Sequence, residues 1–208
     1  MKIFNSLDDI PDNHRPSSIT IGNFDGLHIG HIELLKNTIA LAKANNTVPV
    51  VLSFDPMPEE YFRNEYFFRL MSNTEKSGFI EDYGIEEIIL IPFNEKFSKM
   101  DKNKFIDEVL IKKLNAKHVV VGNDFRFGHK RIGDVKLLKS YGHDRGIEVT
   151  IVSLIEILGK KISSTNIREL LILGKISEAN SILGKPFSIQ GKIIHGEKVG
   201  RELGYPTA

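Results

Sequence analysis

Short apolar runs alternate with stretches of helical spacing along this chain. Residues 18–21, 48–53, 87–91, 118–121 and 148–152 are runs rich in Val and Ile, each of strand length. Helical patterns lie between them. Residues 33–44 carry Leu34, Leu35, Ile39 and Leu41 near helical spacing. Ser72-x-x-Glu75 is a capping box that opens a helix running to about Tyr83. Residues 102–114 put Phe105, Ile106, Val109, Leu110 and Leu114 on one side of an amphipathic helix, and residues 135–141 form another. Strands alternating with helices predict an α/β fold, a Rossmann-like parallel sheet with helices on both faces. Runs such as IEEIILI and HVVVG suit strands buried on both sides. Ligands in such sheets bind beyond the carboxyl ends of the strands, where the strand order reverses.

The pattern changes near the end. Helices are predicted over 163–173 and 177–183, and after Gly184 residues 188–195 alternate as a strand does. This places one domain over residues 1–185 and the start of a second over 186–208, too short to fold alone.

Composition narrows the classes. Lys and Arg number 28 against 27 Asp and Glu, a formal charge of +1, which gives no support to a nucleic-acid or membrane-surface role. There is no Cys, so disulfides, thiolate metal sites and a thiol nucleophile are excluded. No apolar stretch has signal-peptide or membrane-span length, and a cytoplasmic location is expected. Nothing in the pattern sets an oligomeric state.

Two segments carry chemistry. Residues 22–31 read GNFDGLHIGH, directly after the first apolar run. Gly22 lets a phosphate or base approach the backbone, and Gly26 and Gly30 allow a tight turn. His28 and His31 are three apart where a helix begins, so both rings project from one side, beside free helix N–H groups. The spacing alone also fits a metal pair or an ordinary polar turn. The strand–loop–helix setting favours a phosphate site, where imidazole N–H groups stabilise charge on a phosphoryl centre. Residues 162–168 read ISSTNIR. Ser163, Ser164 and Thr165 open a second helix, and Arg168 offers a fork of donors one turn further on. Alone this is an ordinary N-cap with a solvated arginine. With the first motif it makes a complementary pair, one for the reacting phosphate and one for the leaving pyrophosphate.

Longer strings narrow the reading. IGNFDGLHIGH (21–31), VLSFDP (51–56), VVVGNDFRFG (119–128) and SSTNIRELL (163–171) resemble the bacterial bifunctional riboflavin kinase/FAD synthetase family, within the nucleotidylyltransferase superfamily. The tail HGEKVGRELGYPTA (195–208) resembles the opening of that family's β-barrel kinase module. The resemblance implies adenylyl transfer: FMN and ATP, with Mg²⁺, give FAD and pyrophosphate. It implies His28, His31 and Arg168 as catalytic residues. Gly22, Asn23, Phe24, Asp25, Gly30, Asp124, Ser164 and Thr165 would bind ATP, with Asp124 orienting ATP or its metal. Asp55, Pro56, Phe62, Phe125, Arg126 and Phe127 would bind FMN, with Arg126 toward its phosphate. Alternation in DFRFG makes core an equal reading for Phe125 and Phe127. Met57 stands where the family usually has His, and Asn166 where it often has Arg. Thr207 would serve Mg-ATP in the kinase module. Residues 1–208 alone are expected to lack riboflavin kinase activity, and the natural chain is expected to continue. Superfamily members acting on pantetheine phosphate or nicotinate mononucleotide are the alternative.

Overall fold

The computed structural model describes residues 1–63, 67–153, 156–157, 160–192 and 204. Strand β1 (Lys2–Phe4) opens the chain, followed by β2 (Ser17–Ile21), α1 (Ile29–Asn45) and β3 (Val48–Phe54). A one-turn helix α2 (Pro58–Phe62), helix α3 (Asn73–Asp82), strand β4 (Glu87–Ile91) and a short α4 (Glu95–Ser98) come next. Helix α5 (Lys102–Lys104) runs into a π-helical stretch, Phe105–Lys113, and then into β5 (Ala116–Gly122). A small hairpin of β6 (Arg126–Phe127) and β7 (Gly133–Asp134) precedes α6 (Val135–His143) and β8 (Glu148–Val152). Strands β9 (Glu156–Ile157) and β10 (Lys160–Lys161) pair with each other, and α7 (Ser164–Ile172) and α8 (Ile176–Leu183) follow.

Six strands form one sheet in the order β1-β4-β3-β2-β5-β8, and every pair is parallel. The chain moves outward from β2 through β3 to β4, then returns to lay β5 on the other side of β2. The reversal therefore lies between β2 and β5, whose carboxyl ends lead into the GNFDG loop and the NDFRFG loop.

Strand alternation sorts the core into two layers. Val50, Leu52, Ile89 and Ile91 join Phe105, Ile106, Val109, Leu110 and Leu138 on one face, beneath the π-helical stretch and α6. Val51, Ile88 and Leu90 join Leu35 and Ile80 on the other face, beneath α1 and α3. Both faces are covered, as the buried runs require. A third cluster of Leu70, Ile162, Ile167, Leu170, Ile182 and Leu183 holds α7 and α8 over the loop end of the sheet.

The strands and helices predicted up to residue 183 are present, with Ser72 and Glu75 forming the expected reciprocal cap. One helix differs in kind. The amphipathic run over 102–114 widens from α into π, with Leu114 N–H donating to Val109 C=O at 3.1 Å. The buried positions recur at 105–106, 109–110 and 114, steps of four to five that a wider turn keeps on one side. The strand expected over 188–195 does not form where it is described. Residues 186–192 are irregular, and 193–195 fall outside the described residues, as does Thr207.

Candidate active site

The loop after β2 is bent by a run of left-handed backbone at Phe24 (φ 52°), Gly26 (φ 82°) and Leu27 (φ 45°). Gly26 is required there twice over: its φ is one that side chains resist, and a Cβ would lie 2.8 Å from Leu70 Cδ1. This bend sets His28 as the N-cap of α1, where its Nδ1 accepts from the His31 N–H at 3.2 Å. With Nδ1 used as acceptor, the neutral ring carries its proton on Nε2. The two imidazoles stack, centroids 3.6 Å apart and planes at 13°. His31 also leans on Phe24, centroids 5.0 Å apart. Burial lowers the His28 pKa to about 4, against the pull of its own backbone and of Asp124. Burial likewise pushes His31 well below the usual histidine value, with His28 and Lys76 adding to it. Both rings are therefore neutral donors at neutral pH. The buried Nδ1 of His31 has no hydrogen-bond partner among the described residues, which is unusual for a buried polar atom.

Asp25 ties this loop to the second motif. Its carboxylate accepts from the N–H groups of Leu70 (3.0 and 3.1 Å) and Met71 (3.3 Å) and pairs with Arg168. Burial pushes its pKa up, opposed by those backbone donors, Arg168 and Lys76. Ser164 Oγ donates to the Asp25 carbonyl at 2.8 Å, and Arg168 Nε donates to the Phe68 carbonyl at 2.8 Å. The Arg168 guanidinium also lies over the Phe67 ring, 4.3 Å from its centroid. Much of the fork expected to meet phosphates is thus spent inside the protein. Ser163 caps α7 by accepting from Asn166 N–H at 3.2 Å, and the first amides of α7 have no intrahelical partner.

These parts surround one cavity of about 320 Å³, lined by Gly22, Asn23, Asp25, His28, Gly30, His31, Asp124, Ser164, Thr165 and Arg168. The 22–31 and 162–168 motifs, far apart in the chain, meet there because each opens a helix at the carboxyl end of the sheet.

Phe24 is the exception among the expected nucleotide contacts. It is fully buried, and its ring packs against the space left by Gly22, where a Cβ would lie 3.3 Å from it. Phe24 supports His31 from below and does not line the cavity.

A second, larger cavity of about 770 Å³ adjoins the first, and its walls are rich in Phe and Tyr rings. Phe62, Phe125, Arg126 and Phe127, the residues that the family resemblance assigns to FMN, line it. Phe127 is nonetheless mostly core, packed on Phe105 at 5.4 Å and Phe125 at 5.6 Å. Asp55 and Pro56 do not line it. Asp55 turns instead to Arg69 at 2.7 Å, and Arg69 also holds Glu60 at 2.6 Å, which braces the 55–62 segment. Tyr61, Phe93 and Phe97 complete the aromatic wall and were not singled out in the sequence, although Phe93 and Phe97 follow the carboxyl end of β4.

Lys76 was also not anticipated. It is buried beneath the loop, donating to the Asn23 carbonyl and to Ser53 Oγ, each at 3.2 Å. Burial lowers its pKa to about 8, with Asp25 pulling the other way. No sequence signal marks it, since a lysine on a capped helix is ordinarily solvated.

The FAD synthetase family model matches residues 10–166, well over half of the chain. The chain belongs to the FAD synthetase family. A riboflavin kinase model matches residues 183–208 of this family member. The bifunctional riboflavin kinase/FMN adenylyltransferase of Buchnera aphidicola subsp. Schizaphis graminum is 44% identical over 210 residues, covering 100% of this chain and 67% of the relative. That of Escherichia coli is 37% identical over 191 residues, covering 91% of this chain and 61% of the relative. The chain thus spans roughly two thirds of the length of these relatives. A solved structure from Streptococcus pneumoniae, named a macrolide-efflux protein, superposes with a TM-score of 0.85 at 31% identity, covering 98% of this chain and 66% of its own. A Francisella tularensis pantoate-beta-alanine ligase shares the fold, with a TM-score of 0.54 at 14% identity over 98% of this chain and 85% of its own. Among the described residues no helix is long and apolar enough to cross a membrane.

Proposed function

We propose that this FAD synthetase family member transfers AMP from ATP to FMN, using the two adjoining cavities as one active site. The observation that carries the reading is their shared wall: a polar cavity with two stacked histidines opens beside an aromatic one, and Ile21, Phe54, Pro58, Glu59, Phe125, Arg126 and Arg131 line both. ATP takes the polar cavity, with its α-phosphate at His28 and His31 and its β- and γ-phosphates at the N-terminus of α7. The isoalloxazine takes the aromatic cavity, where flat rings pack well. An FMN phosphate oxygen then bonds to the α-phosphorus as the bond to the bridging oxygen of pyrophosphate breaks. The histidines donate to the developing charge and Asp25 keeps the two motifs in register.

Asp124 puts an exposed carboxylate on the wall of the polar cavity. Such a donor fits Mg²⁺, which phosphoryl-transfer sites hold with one or two carboxylates and the substrate's phosphates. Asp124 is therefore assigned to ATP or to that ion, which supplies charge neutralisation when bound. The transferase domain is assigned to residues 1–185 and acts in the cytoplasm, with small molecules as its partners. Residues 186–208 are assigned to a riboflavin kinase module.

Acceptor choice tests the reading. Offered FMN, pantetheine phosphate and nicotinate mononucleotide together with ATP and Mg²⁺, the protein should adenylylate FMN alone, as chromatography of the products will show. Adenylylation of either other acceptor in preference to FMN would reassign the aromatic cavity.

A further inference from the structure

The turn between β6 and β7 holds two consecutive non-glycine residues in left-handed backbone, Lys130 (φ 54°) and Arg131 (φ 57°). Side chains seldom adopt that region, and a pair in succession persists only where the surroundings hold it. They do so here. His129 N–H donates to the Met100 carbonyl at 2.7 Å, and its Nδ1 lies 3.1 Å from the Ser98 carbonyl. Arg131 N–H donates to the Gly128 carbonyl at 2.9 Å. Asp134 caps α6 through Leu137 N–H at 2.9 Å, closing the turn from the other side.

The result is an arginine set at the seam of the two cavities. Only two cations, Arg126 and Arg131, line both cavities among the described residues. Arg126 is paired, 3.4 Å from Asp134. Arg131 is exposed, and its side chain has no hydrogen bond or ion pair among the described residues. The seam also holds the carboxylate of Glu59, which accepts from Asn23 Nδ2 at 2.6 Å and would repel an incoming dianion. A nucleophilic phosphate delivered from the aromatic cavity to the histidines must cross this seam.

We propose that Arg131 is the specificity-determining cation for the acceptor's phosphate, binding the FMN phosphate at the seam and letting the site prefer FMN to unphosphorylated riboflavin. The assignment rests on the adenylyl-transfer reading and moves the phosphate contact expected of Arg126 to Arg131. A guanidinium suits it through paired donors to phosphate oxygens.

The test compares FMN and riboflavin binding by flavin fluorescence in the wild type, Arg131→Ala and Arg131→Gly. Glycine accepts the left-handed backbone, so it removes the side chain without straining the turn. Both variants should bind FMN about tenfold or more weakly, the loss expected for a charge-assisted pair, with riboflavin affinity and the KM for ATP unchanged. Arg131→Lys should restore part of the FMN affinity. Equal weakening of FMN and riboflavin, a rise in KM for ATP alone, or unchanged FMN affinity in Arg131→Gly would overturn the assignment. Wild-type protein that makes FAD alongside an indifferent Arg131→Gly variant refutes only this residue's role, whereas wild-type protein that makes none refutes the reading beneath it.

Discussion

Replacing His31 with alanine should slow FAD formation by at least ~10²-fold at saturating substrate, the loss typical of a donor aimed at transition-state charge. The KM for ATP should move far less, because the interaction removed grows as charge develops on the phosphoryl group. The ring is placed for this by three contacts: the stack on His28, the lean on Phe24, and its seat in the first turn of α1. Burial keeps it neutral, so it acts through an N–H donor and needs no proton uptake first. Steady-state kinetics separate the outcomes, with thermal unfolding run in parallel to show that the variant remains folded. A folded His31→Ala protein with unchanged turnover would remove His31 from the mechanism.

The second large effect concerns stability. Asp25→Ala should cost about 3–5 kcal/mol, the usual range for breaking a buried ion pair from one side. Asp25 is 2% exposed, and its carboxylate serves Arg168 and two backbone N–H groups, which would lose that acceptor together. For a domain of this size the Tm should fall by on the order of 10 °C. The double variant Asp25→Ala/Arg168→Ala should be less destabilised than the sum of the single changes, because it leaves no unpaired guanidinium. Denaturant unfolding of the wild type, both single variants and the double variant checks this. Strict additivity would mean that the pair contributes nothing as a pair.

Much of this architecture is legible in the chain because burial on both faces writes itself as short, mostly apolar runs rich in Val, Ile and Leu. The runs at 48–53 and 87–91 lie within the sheet and are covered from both sides, so their apolar character is continuous. β1 escapes the same reading because it is three residues long, lies at the sheet edge and is largely exposed. The widening of the 105–113 stretch is invisible to a search for helical spacing, since four- and five-residue steps look alike over so short a run.

The site was legible where chemistry is local. Two histidines one turn apart at a helix start need nothing distant to be recognised. Arg168 is different: on its own helix it reads as a phosphate ligand, and only the fold brings it to Asp25 and the Phe68 carbonyl. Phe24 misleads for a similar reason. A conspicuous aromatic in a glycine-rich loop reads as a ligand contact, yet the missing Cβ of Gly22 makes room for its ring inside the core. Lys76 and Arg69 carry no local mark, because their partners lie on other elements.

The central claim is that the histidine-lined and aromatic cavities act together on one phosphoryl transfer, and FAD formation measures that directly. The folded protein, given ATP, Mg²⁺ and FMN, should release FAD and pyrophosphate in equal amounts over many turnovers, read by chromatography of the flavins and a pyrophosphate assay. Pyrophosphate without FAD, or neither product from folded protein, would contradict it.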